Sequence, residues 1–226
     1  MELIVIRILV LVFSIVVHEV AHGWAAYFLG DPTAQQRGRL TLNPLPHIDP
    51  MGSIVVPAVL ALLGSVPFGW AKPVPVDVGR LNNPRDDHPK VAAAGPLSNL
   101  ILAFLFAIAL GVTVGVSGMP SGSASSPSAN HFFVVLFQTG VIINVVLATF
   151  NLIPLPPLDG SWIISRFLPL RLRVRYENLR RFGMLIIIGF MMAVRYTPLG
   201  GMFFAGISAI SAPYYRLAQT VANALN

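Results

Sequence analysis

The sequence predicts an all-α polytopic membrane protein, a helical bundle of about four to six membrane segments with short membrane-associated β-strands. Three observations predict it. Of 226 residues, 55% are hydrophobic and only 11% charged, and the mean hydropathy is +0.73, which is the composition of a chain that lives in a bilayer. The apolar residues form runs long enough to cross a hydrocarbon core about 30 Å thick. Proline- and glycine-broken connections separate the runs. No internal repeat or soluble accessory region interrupts this pattern, so residues 1–226 are expected to form one membrane domain. Its core would span about residues 3–165, with further membrane segments at about 182–212.

The first helix is expected from about Leu3 to Leu29, where Gly30-Asp31-Pro32 stops it. It lacks the short basic region and small-residue cleavage site of a secretory signal, so it reads as an uncleaved span. Gln35–Pro50 is a polar connection in which RGRLTLNP alternates as a short strand would. Met51–Trp70 is apolar but holds Pro57 and Pro67, and it either crosses the bilayer or turns back within it. Lys72–Lys90 follows, its AKPVPVDV opening a second strand candidate that the prolines confine to a sheet edge. Two firm spans come next, Val91–Val116, with Gly95-Pro96 in its first turn, and His131–Ile153. After PLPPLDG comes an arginine-rich stretch, then the apolar runs Phe182–Val194 and Pro198–Ala212, a hairpin or one broken helix.

The net charge is +6. In a membrane chain this reports orientation and lipid headgroup contact, not nucleic acid. The arginines of 165–181 are expected in the cytoplasm and facing headgroups, and the uncharged stretch 118–130 outside. There is no cysteine, which excludes disulfides and thiolate metal sites, so any metal must be held by His, Asp or Glu.

The chemistry concentrates in the first helix, at HEVAH. His18 and His22 are four apart and so lie one turn above each other on one helix face. That spacing lets two imidazoles bind one zinc, with Glu19 beside them to take a proton from zinc-held water. An ionisable residue at the centre of a spanning helix costs roughly 2.5–3.5 kcal/mol. Zinc binding, about 10–16 kcal/mol in small zinc domains, is large enough to offset three such residues.

A catalytic zinc takes three protein ligands and keeps one position open. Asp159 is the best candidate for the third, because it is the only acid between Asp87 and Glu177 and sits in the otherwise apolar NLIPLPPLDG. Alternatively, Asp159 caps the helix that follows it. His18 lies about 11 residues before the helix end, or roughly 16 Å. A loop reaching that depth is best placed if it enters from the same membrane face, which requires Met51–Trp70 to turn back.

HEVAH in a membrane helix, AGPLSN in a later span, and Asn151…Pro154…Asp159-Gly160 together resemble the site-2 protease family of intramembrane zinc metalloproteases. GRLTLNPLPHIDPMG followed by GWAKPVPV is similar to its compact prokaryotic branch, which lacks PDZ-like and nucleotide-sensing modules. The resemblance implies one catalytic Zn2+ on His18, His22 and Asp159, with Glu19 as general base. It also implies a catalytic role for Asn151 on an oxyanion or the scissile peptide, and a substrate contact for Asn99. The implied activity is hydrolysis of peptide bonds in or near a transmembrane segment, with the site toward the cytoplasm, in a multi-pass protein of a prokaryotic cell membrane. The implied partners are a membrane-spanning protein substrate and the lipid bilayer. The strand candidates Arg39–Asn43 and Val74–Val78 could then offer an edge to an unwound substrate. A zinc transporter would also place His and Asp in the membrane, but would not need a glutamate beside the first histidine. His47, His88 and His131 need no function on this view, Asn99 and Asn144, both inside spans, read from position alone as interhelical glue, and Arg195 snorkels to an interface.

Overall fold

The computed structural model describes residues 2–55, 71–117 and 129–225. Its helices are α1 (Glu2–Phe28), α2 (Thr33–Gln36), α3 (Pro84–Ser117), α4 (Ala129–Asn151), α5 (Asp159–Ser165), α6 (Leu170–Asn178), α7 (Gly183–Tyr196) and α8 (Leu199–Leu225). Among the described residues, three helical stretches are long and apolar enough to cross a membrane: Leu3–Phe28, Pro84–Val116 and Asn130–Asn151. Leu170–Tyr196 and Leu199–Leu225 together make a fourth candidate, bent by 91° at the break. Of the two readings of the C-terminal runs, the broken helix is the one observed, because Pro198 cannot donate the helical hydrogen bond that would carry α7 straight on.

Helix α3 is the hub, packed against α1, α4 and α8. On α1 the buried residues Ile6, Val10, Ser14, His18, His22 and Ala26 recur every fourth position, a ridge turned inward, with Val16 and Val20 buried beside it. Leu3, Ile4, Val5, Ile8 and Leu9 remain exposed, so the helix is apolar all round, as a lipid-facing helix must be. Small residues on both sides bring α3 and α8 together. A Cβ on Gly111 would lie 2.5 Å from the Ala218 carbonyl oxygen, and one on Gly115 would lie 2.9 Å from that of Ala222.

Helix α3 starts seven residues earlier than the hydropathy indicates, which moves Pro96 from the first turn to the helix interior. The cause is polar and local. Asn83 precedes Pro84 at the first helical position, and the Asp87 carboxylate accepts the Asn83 N–H at 2.8 Å, so the helix is capped before its apolar part begins.

Neither alternating segment forms a strand among the described residues. Their backbones are satisfied by side chains instead. Arg39 Nη2 donates to the Lys72 carbonyl at 2.7 Å, Glu19 accepts the Val74 N–H at 2.8 Å, and buried Asp31 accepts the Asp77 N–H at 2.6 Å. Pro73 and Pro75 have no N–H to offer a ladder.

The flanks of Met51–Trp70 meet, since the Lys72 N–H donates to the His47 carbonyl at 2.9 Å. Residues 56–70, on which the choice between crossing and turning back depends, lie outside the described residues, as do residues 118–128. The Asn82 N–H reaches the Leu29 carbonyl at 2.8 Å, so the end of α1 and the start of α3 share one end of the bundle. This is also the end from which PLPPLDG enters.

Candidate metal centre

The inward ridge of α1 carries His18 and His22 to a point where α3 passes them at Gly95. A Cβ there would lie 2.6 Å from His18 Nε2 and would also collide with His22. Only a glycine lets the α3 backbone run this close. From the other side, the chain leaves α4 and folds back, with Gly160 seated on the Leu152 carbonyl where no side chain would fit. That turn presents Asp159 to the histidines. Leu158, not Asp159, occupies the cap position of α5 and makes no side-chain cap bond, so the capping alternative does not hold.

Three ligand atoms converge. His18 Nε2 and His22 Nε2 are 3.1 Å apart, and Asp159 Oδ2 lies 3.2 Å from the first and 3.4 Å from the second. Among the described residues this is the one group of His, Asp and Glu side chains arranged to hold a metal.

The tautomers decide what fits there. The Val91 carbonyl can only accept, so His22 Nδ1, 2.7 Å from it, carries a proton. His18 Nδ1 lies 2.6 Å from Asn99 Oδ1. The amide orientation is set further back: Asn144 Nδ2 donates to the Gly140 carbonyl and to Ser14 Oγ, both at 2.9 Å. Asn144 Oδ1 then accepts from Asn99 Nδ2 at 2.9 Å, which turns Asn99 Oδ1 toward His18. Both histidines in their neutral form thus point bare Nε2 lone pairs at each other and at Asp159 Oδ2, a buried oxygen with no hydrogen-bond partner. Three acceptors facing one another require a cation. Two nitrogens and an oxygen at about 2.0–2.1 Å from a tetrahedral zinc would be separated by about 3.3 Å, which matches the observed spacing. The donor set fits zinc.

Around this triangle is a cavity of ≈ 400 Å³ whose wall includes Glu19, Val74, His88, Asn151 and Trp162. Glu19 Oε2 is held by the Val74 N–H, as described above. Asn151 donates one amide hydrogen to the Leu147 carbonyl at 3.0 Å, and its second hydrogen has no acceptor among the described residues. The structure does not place Asn99 in the cavity. It is fully buried behind His18, with all its polar atoms engaged within the bundle, so a direct substrate contact is replaced by a contact to a candidate ligand.

The sequence did not point to His88, Trp162, Tyr176 and Arg180. The His88 ring packs 4.2 Å from that of Trp162. The Arg180 guanidinium lies 3.0 Å above the Trp162 ring and donates to Ser161 Oγ at 2.6 Å. Tyr176 donates to the Pro154 carbonyl at 2.7 Å. The only sequence signal for Arg180 was its membership of an arginine-rich run, which does not separate it from its neighbours.

Comparison with known proteins bears on this geometry. The profile of peptidase family M50 matches residues 113–194, which include Asp159. A Bacillus subtilis protein named as a zinc metalloprotease, YwhC, is 39% identical over 193 residues, covering 85% of this chain and 81% of the relative. Rip2 of Mycolicibacterium smegmatis, also named as a zinc metalloprotease, is 29% identical over 77% of this chain and 62% of its own length. MJ0611 of Methanocaldococcus jannaschii, so named too, is 33% identical over 80 residues, or 35% of each chain. No solved structure matches. Identity at this level along most of both chains, together with a donor set that demands a cation in a bundle built for lipid, makes the chain a zinc metallopeptidase of the membrane and a member of peptidase family M50, the site-2 protease family.

Proposed function

We propose that the chain cuts membrane-protein substrates in or near their transmembrane segments, with His18, His22 and Asp159 holding the zinc. The observation that carries this reading is the triangle of converging ligand atoms, with edges of 3.1, 3.2 and 3.4 Å, at the depth of a spanning helix. Zinc supplies Lewis acidity at the open position of such a ligand set.

The remaining work belongs to the protein. Glu19 takes the proton of the attacking water and delivers it to the leaving amine nitrogen. The Val74 N–H on its Oε2 fixes the carboxylate while leaving Oε1 for that transfer. Asn151, with an amide hydrogen to spare, donates to the scissile carbonyl oxygen as negative charge develops there. A helical substrate must unwind to expose its peptide bond, and the Pro73–Val78 segment along the cavity gives the unwound stretch a surface to lie on. The arginines of α6 and the turn after it lie at the same end of the bundle as the site, which supports a cytoplasmic-facing opening. We also propose that residues 1–226 act as one domain, since the candidate site draws on α1, α3, α4 and the Asp159 loop together.

The test is zinc analysis with a cleavage assay on a membrane-spanning substrate, for wild type and Glu19→Gln. The variant is expected to retain zinc and to lose about 10²–10⁴-fold in cleavage rate. Undiminished cleavage would refute Glu19 as the base, and zinc flux across liposomes without cleavage would favour transport.

A further inference from the structure

The arginine-rich helix α6 has two faces with different partners. Arg173 and Glu177 pair at 2.8 Å on the side toward the protein, where Tyr176 also lies and Arg180 follows one turn later. These residues grip the loop on both sides of Asp159. Tyr176 holds Pro154, Arg180 reaches the Pro157 carbonyl at 3.5 Å, and the same guanidinium holds Ser161 and covers Trp162. Gly183, just beyond, packs on the Pro157 ring.

The opposite face is largely open among the described residues. Arg171 and Arg175 are exposed and have no acidic partner among the described residues. Leu170 is 75% exposed, Leu172 52% and Val174 50%. Arginines interleaved with bare aliphatics require a partner that offers negative charge and apolar depth together. A nucleic acid would satisfy the first but not the second. An anionic phospholipid layer satisfies both, with phosphates for the guanidinium groups and acyl chains for the aliphatics.

We propose that α6 docks on anionic phospholipid headgroups and transmits that docking through Tyr176 and Arg180 to the Asp159 loop, so that anionic lipid strengthens zinc binding. This rests on Asp159 being a zinc ligand. The mechanism is a coupling between two sites through one rigid connection. When lipid fixes α6, the three hydrogen bonds and the stacked guanidinium hold Asp159 at the depth of the histidines. When α6 is free, the loop loses its outer support.

The full chain is reconstituted in vesicles of phosphatidylcholine alone or of phosphatidylcholine with phosphatidylglycerol, and zinc affinity is read by competition with a chelator. Wild type is expected to bind zinc at least about threefold more tightly with phosphatidylglycerol present, a difference that high salt removes. The Arg171→Gln/Arg175→Gln double variant is expected to bind equally in both lipids, at the wild-type level in phosphatidylcholine. Because the sequence has no cysteine, Leu172→Cys provides a single site for an environment-sensitive dye, whose emission is expected to shift blue with phosphatidylglycerol. An unshifted dye would overturn the docking. A shifted dye with lipid-independent zinc affinity, or a double variant that keeps the wild-type lipid dependence, would overturn the transmission. An Asp159→Asn variant with undiminished zinc affinity would instead remove the ligand assignment on which the proposal rests.

Discussion

The two halves of the candidate metal centre are held in opposite ways. His18 is oriented from behind by Ser14, Asn99 and Asn144, three neutral residues with no solvent exposure, in a dry contact among α1, α3 and α4, and His22 by the Val91 carbonyl of α3. The loop that carries Asp159 is held from outside by Tyr176 on Pro154 and Arg180 on Ser161, which belong to a segment whose far face is open. An orienting network in a low-dielectric interior has no competing water, so it is rigid and costly to disturb. A tether at the edge of the bundle competes with water and headgroups and can be loosened. The difference assigns precision to the histidine pair and adjustability to the aspartate.

The largest effect is expected where the histidine half leaves no space. Gly95→Ala puts a methyl group against both imidazoles, although alanine favours a helix over glycine by about 0.5–1 kcal/mol. Zinc content should therefore collapse while helical content by circular dichroism is kept. Full zinc content in this variant would mean that α3 does not approach the site so closely.

Asn99→Leu comes next. It removes the acceptor that fixes the His18 tautomer, and loss of such a support typically costs about 10–100-fold in metal affinity. Nitrogen NMR of the His18 ring should show the Nδ1–H form giving way to a mixture, a change that mere loosening of the fold would not produce. The smallest effect is expected in the aspartate half. Tyr176→Phe deletes one hydrogen bond to Pro154, worth about 0.5–1.5 kcal/mol, so zinc affinity should fall no more than about tenfold. If Tyr176→Phe cost more than Asn99→Leu, the contrast between the halves would be reversed.

Much of this was legible in the sequence, for reasons that can be stated. His18 and His22 announce themselves by helical spacing in a span, and Asp159 by being the one acid in a proline-broken apolar loop. Those signals are local. The orienting network is not, because Asn99 reaches Asn144 and Ser14 across separations of 45 and 85 residues, and no pattern within either helix tells an orienting asparagine from interhelical glue. The early start of α3 was written in Asn83-Pro84 and Asp86-Asp87, but hydropathy outweighed capping chemistry in placing the boundary. The strand candidates misled because alternation records which side chains face inward, whereas a strand also needs a partner backbone. Here Arg39, Glu19 and Asp31 take that place.

The most direct measurement is X-ray absorption at the zinc edge on the purified chain. Four-coordinate zinc with two imidazole nitrogens and oxygen donors, at about 2.0–2.1 Å, is the expected result, with one oxygen donor replaced or the metal lost in Asp159→Asn. An all-oxygen shell, a single imidazole, or an Asp159→Asn spectrum identical to wild type would contradict a centre built from His18, His22 and Asp159.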